Sequence, residues 1–229
     1  LNFPTKKAGT FTLFGIGGLN TATSNPVKDS TKWDDDHPNF VLNNKGTLGV
    51  AGISHQYFLN KHAYLKTILA ANVEKYDQVT DTLNPEQSYN KVRTFEGKLI
   101  DNAIRLSILY NNKISNRHTL RTGIIVSRLG FNYNNDFLDD ADKTWKNLLR
   151  SKGNTMFYQA YAQWKFRITD KLTSNLGIHG SYFALNETNS IEPRGSLSYQ
   201  FNKTQSLTLS AGMHSKPQHL STYFFEKKI

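Results

Sequence analysis

Two carboxylate-rich runs carry the most obvious chemistry. Asp34, Asp35, Asp36 and His37 set three carboxylates and an imidazole in a row, and Asp139, Asp140 and Asp142 form a second acidic run. Such oxygens can hold a hard cation such as calcium, but neither run has the spacing or the central glycine of an EF-hand loop. Solvated loop charge is the plainer reading. The histidines are scattered, with no H-E-x-x-H pair and no Ser/His/Asp order that sets a nucleophile beside a base. Gly15-Ile16-Gly17-Gly18 fits neither a dinucleotide fingerprint nor a P-loop and reads as a strand that must bend. No enzyme, metal or cofactor is expected.

What remains is chemistry for binding. Lys165 and Arg167, and Glu192 and Arg194, are each two residues apart, which on a strand places each pair on one face. In the irregular segments, Trp33 and Trp145 offer stacking surfaces beside Asp139 and Asp140. These eight residues are the candidate ligand contacts.

The elements that must position them are strands. Short polar breaks with a basic residue recur at Lys7, Lys61, Arg117, Lys171 and Lys203, the first four roughly 55 residues apart. Each interval holds one outgoing strand, a loop and one returning strand, so tight turns alternate with longer loops. From Met156 to Ile168 the dyad pattern is strongest: Met156, Tyr158, Ala160, Ala162, Trp164, Phe166 and Ile168 on one face, Gln159, Gln163, Lys165 and Arg167 on the other. A cationic, amide-rich face suits a wet lumen and not a dry core. Aromatic residues gather near strand ends, as interfacial girdles do. The loops are expected at 20–45, 77–93 and 133–155, with a short amphipathic helix within 139–150.

Composition bounds the class. The chain has 229 residues, a formal charge of +10 and no cysteine, which removes any disulfide framework or cysteine-based site. Its basic residues are spread along the chain and not gathered into one patch, so they read as lumen and turn charges and no nucleic-acid partner is expected. No run of apolar residues is long enough for a transmembrane helix. The mean hydropathy of −0.55 remains compatible with barrel strands, whose apolar half hides behind a polar one.

Ser190 to Phe225 carries a more specific signal. Glu192-Pro193-Arg194 enters a strand, Asn202-Lys203-Thr204-Gln205 turns it, and Gly212-Met213-His214-Ser215 leads to Gln218 and Leu220. This stretch resembles the mid-barrel hairpin of TonB-dependent outer-membrane receptors of the Bacteroidota type. The resemblance implies a bacterial outer-membrane location, contact with outer-membrane lipid, a plug domain, a TonB partner and an unidentified nutrient ligand. A passive porin, a surface adhesin or a soluble carbohydrate-binding module would share parts of the pattern. The chain starts without an export signal and ends without a closing strand, so an internal piece is expected. The expected fold is all-β: residues 1–229 as a partial transmembrane barrel without plug, about nine long antiparallel up-and-down strands in a curved, open sheet.

Overall fold

A computed structural model describes residues 1–24, 26, 29–33, 39–84 and 88–224. It consists of one antiparallel sheet of ten strands in which every strand pairs with its sequence neighbours, and the first and last do not pair with each other. The strands are β1 (Asn2–Pro4), β2 (Thr10–Thr23), β3 (Phe40–Phe58), β4 (Ala63–Asn84) and β5 (Asn90–Lys113), followed by β6 (His118–Leu138), β7 (Trp145–Arg167), β8 (Leu172–Phe183), β9 (Thr188–Gln200) and β10 (Ser206–Gly212). The order is up-and-down throughout, as the spacing of the basic turns predicts. The tenth strand is β1, three residues too short to show a dyad pattern, which pairs with the start of β2 across the Lys6-Lys7 turn.

The tight turns share one construction. Asn60 Oδ1 accepts the amides of His62 and Ala63, Ser115 Oγ those of Arg117 and His118, Thr169 Oγ1 those of Lys171 and Leu172, and Asn202 Oδ1 those of Thr204 and Gln205. Thr5 Oγ1 accepts the Ala8 amide in the first turn. A short polar side chain at the turn's start thus satisfies amides that the ladder leaves unpaired.

At the other end the strands run further than expected. β4 continues to Asn84 and β5 begins at Asn90; β6 continues to Leu138 and β7 begins at Trp145. The helix expected within 139–150 is absent: Asp139 N donates to Thr144 O, closing a hairpin whose second strand starts at Trp145. The near-helical spacing of Ala141, Trp145, Leu148 and Leu149 misled because Asn135 and Asp136 mark a register shift, which breaks the period-two pattern there.

Register assigns every residue to a face, because directly paired residues of antiparallel strands point the same way. Beyond β10 the chain leaves the edge and crosses one side of the sheet. A turn of 3-10 helix, Leu220–Phe224, packs there against Phe131, Tyr133 and Leu149. This side is termed the covered face and the other the bare face. The main buried cluster lies on the covered face, with Leu99 beside it. Aromatic rings there fold over glycines of the neighbouring strand: Phe14 over Gly52, Tyr161 over Gly123 and Phe131 over Gly153.

Candidate functional site

The β8–β9 and β7–β8 registers place Glu192 opposite His179 and His179 opposite Tyr161, all on the covered face. Glu192 is 2% exposed and its oxygens are fully engaged. Oε1 accepts the Ser190 hydroxyl at 3.1 Å, the Ser215 amide at 3.1 Å and the Ser215 hydroxyl. Oε2 accepts Arg194 Nη2 and lies 3.3 Å from His179 Nδ1. Arg194 Nε reaches the Met213 carbonyl, so the E-P-R strand holds the chain as it leaves β10. Both seryl hydroxyls donate to the carboxylate and not to His179.

Beside this cluster is an open concavity of about 880 Å³ lined by Tyr161, Gln163, His179, Arg194, Ser196 and His214. Its polar groups are a guanidinium, two imidazoles, a phenol, two seryl hydroxyls and the amides of Gln163 and Asn175. That lining can hydrogen-bond a polar or anionic solute or the polar surface of another domain.

The other candidates are dispersed. Lys165 and Arg167 lie on the same covered face but near the tight-turn end of β7, exposed, and opposite Asn175 and Thr173. Asp139, Asp140 and Trp145 lie at the 139–144 turn, at the opposite end. There Asp140 Oδ1 is 3.1 Å from Lys143 Nζ, Asp142 Oδ2 is 3.0 Å from Lys146 Nζ, and Lys146 also contacts Asp139. The Thr144 hydroxyl, followed by Lys146 and the Thr144 amide, holds the Asp142 carboxyl down at about 2; Lys146 and the Ala141 amide also lower Asp139. The acids order a turn and do not converge as ligands, and among the described residues no three acidic or imidazole groups are placed to hold an ion. Trp33 follows a one-turn 3-10 helix, Ser30–Lys32, and meets Tyr89 edge-on at 6.2 Å, joining the first and second long connections. Asp34, Asp35, Asp36 and His37 lie outside the described residues.

Three features escaped the sequence reading. His179 joins Glu192 only through the register of β8 on β9. Asp101 receives the Tyr133 hydroxyl and lies 3.4 Å from His219 Nε2, tying the crossing segment to β5 and β6. The third is the distribution of charge. From the tight turns up to Lys75 and Arg128, every Asp, Glu, Lys and Arg of β2–β10 is on the covered face, among them Lys66, Arg105, Arg121, Lys165, Glu192 and Arg194. The bare face at that height is apolar and exposed, including Leu69, Ile104, Ile124, Trp164, Ile178 and Leu209. Near the tight turns it carries stacked rings, with His118 against Phe166 at 4.5 Å and against Trp164 at 5.6 Å. On β7 the two residue sets separated by the sequence pattern thus lie on the bare and the covered face respectively. The assignment of basic residues to lumen and turns alone is not, since beyond the apolar belt several emerge on the bare face.

No family model matches the sequence, and no curated protein matches it. Among solved structures the chain is similar to a CymD monoaromatic hydrocarbon channel, 12% identical over 90% of this chain and 84% of that one, with a TM-score of 0.31. At that score the likeness bears on neither function nor ligand.

Proposed function

We propose that the chain forms part of the wall of a bacterial outer-membrane β-barrel, and that this barrel is a TonB-dependent receptor importing a nutrient. The observation that supports the membrane reading is the partition of charge: a mainly apolar belt, free of Asp, Glu, Lys and Arg, spans β2–β10 on one face and all charge at that height is on the other. In water such a belt far exceeds the few hundred Å² of contiguous apolar surface that a soluble monomer exposes. In lipid it is the expected outer surface. On β7 the belt runs from Phe166 to Met156, ten residue steps apart. At about 3.3 Å per residue and a tilt near 40° this corresponds to about 25 Å, the height of a barrel's apolar band.

The receptor assignment rests on the Glu192-Pro193-Arg194 to Leu220 stretch. In this reading the covered face turns toward the interior, where Glu192 and Arg194 order the wall and the neighbouring concavity faces the plug or the passing ligand. No bond chemistry is assigned to any residue.

The test uses the absence of cysteine in this chain. Single cysteines at 158, 160 and 162, in the full-length protein in vesicles, should be reached by a lipid-soluble quencher, and those at 159, 161 and 163 by a water-soluble reagent. Equal access at both sets would overturn the membrane assignment. Ligand uptake that persists after the inner-membrane proton gradient is dissipated would indicate a passive channel and sink the energy-coupled one.

A further inference from the structure

Above the apolar belt the bare face changes character abruptly. Register places Lys45, Lys75, Lys98, Arg128, Arg150 and Lys152 there, on β3 to β7. Lys75 is taken by Asp77 at 2.5 Å, and Arg150 lies 3.6 Å from Asp136. Lys45, Lys98, Arg128 and Lys152 are exposed and have no acidic partner among the described residues. Among the described residues the acids nearest them on this face are Asp77, directly opposite both Lys45 and Lys98, Glu96, two residues from Lys98, and Asp136, and ion pairs with Lys75, Arg93 and Arg150 already engage them. Four cations therefore stand uncompensated on one side of a sheet, where mutual repulsion raises their cost unless an anion lies among them.

Their height is specific. Arg128 is ten residues along β6 from His118, directly beyond Leu120, Ile124 and Val126 of the belt and opposite Met156. Lys98 and Lys152 are each fifteen residues from the tight-turn ends of β5 and β7. At about 2.5 Å of height per tilted residue, Arg128 emerges near 25 Å, at the belt's upper edge, and the two lysines roughly 12 Å above it. The surface between them is uncharged and rich in amides: Asn102, Asn132 and Asn154, with Gly130 beneath the Asn102 side chain.

We infer that this surface, around Arg128, Lys98 and Lys152, binds the phosphate-bearing headgroup of a lipid in the leaflet on the side away from the tight turns. The inference rests on the membrane reading above. A lipid whose acyl chains lie along Ile104, Ile124 and Tyr158 brings its headgroup to the height at which the cations start. Arg128 and the lysines supply charge-assisted hydrogen bonds to phosphate oxygens, and the asparagines supply donors and acceptors for the hydroxyls and esters around them. A zwitterionic headgroup would leave the cations uncompensated.

The experiment uses full-length protein in nanodiscs containing either phosphatidic acid, as the phosphomonoester probe, or phosphatidylcholine alone, with bound lipid counted by native mass spectrometry after release. The protein should retain phosphatidic acid over phosphatidylcholine. The combined substitution Lys98→Gln, Arg128→Gln, Lys152→Gln should lower that preference by about fivefold per charge, roughly a hundredfold in all. Lys66→Gln, which removes one cation from the opposite face, should leave it unchanged. Heat-modifiable migration and insertion into both discs show that each variant is folded. Where the triple variant fails to insert, the single substitution Lys152→Gln, well above the belt, carries the test with a fivefold loss. An inserted protein with no lipid preference, or a triple variant that keeps it, overturns the inference while the membrane reading stands. Failure of the unsubstituted protein to insert overturns both. Displacement of the lipid by equimolar inorganic phosphate would show a site for free anions and overturn the assignment to lipid.

Discussion

Glu192, in the middle of a strand, accepts the backbone amide of Ser215 at 3.1 Å, twenty-three residues further along the chain. That bond fixes where the chain departs from the sheet edge after β10 and starts across the covered face. Glu192→Gln keeps one acceptor oxygen but gives up the charge that draws Arg194, and Glu192→Ala removes both. The Ser215 amide should then exchange hydrogen as an unprotected amide does in Glu192→Ala and at an intermediate rate in Glu192→Gln. Unchanged protection in both would show that the crossing segment is held elsewhere, through His219 on Asp101 and Phe224 on Phe131.

The faces of β7 give a paired prediction. Arginine at Ala162, between Thr122 and Ile178 on the bare face, should cost about 2–4 kcal/mol in refolding of the intact barrel into lipid. Arginine at Gln163, one residue on and exposed on the covered face, should be nearly silent. Equal costs would contradict the membrane assignment.

The turn construction can be tested at Asn60. Asn60→Ala removes the acceptor for two amides and should destabilise the protein by about 1 kcal/mol, while Asn60→Asp, which keeps the acceptor, should be close to neutral. Denaturant unfolding in detergent reads both. Equal losses would mean that the β3–β4 ladder alone sets the turn.

At Gly123 an added methyl would come 2.6 Å from the Tyr161 hydroxyl and 2.8 Å from the Ile108 carbonyl oxygen. The ring can swing away but the carbonyl belongs to the neighbouring strand, so Gly123→Ala should cost roughly 1–3 kcal/mol. At Gly18, where the surroundings are open, the same change should cost no more than a few tenths of a kcal/mol.

The 139–144 turn has a defined acid response. Asp142 is lowered from its ordinary 3.8 to about 2, so its contribution to the turn is complete above 3.8 and is lost as the pH falls toward 2. A carboxyl-carbon NMR titration should show a midpoint near 2, moving upward in Lys146→Gln. A midpoint at 3.8 in the unsubstituted protein would show that the Thr144 and Lys146 contacts do not persist in solution.

The nine longer strands, their order and the two faces of β7 were legible because they follow from period-two alternation and turn chemistry, which are local; the three-residue β1 was too short for either signal. Glu192 and Arg194 could be placed on one face from their spacing alone. Their partners could not: His179 and Ser215 are brought there by the register of β8 on β9 and by the path after Gly212. The long connections were read as irregular because Asp77 to Asn84 and Tyr133 to Leu138 carry polar residues on both faces and lose the apolar–polar contrast, although their backbone remains strand. The basic residues above the belt escaped for a related reason. Lys98 and Lys152 are far apart in sequence and share a face only through the intervening β6.

Pairing only between sequence neighbours also sets the possible order of assembly. No strand waits for a distant partner, so the sheet can extend one hairpin at a time, each new strand copying its register from the one before it, at a small entropic cost of loop closure for each tight turn. A defect at one turn, such as the one closed by Ser115, would then interrupt the sheet at that point and leave the hairpins on either side of it intact.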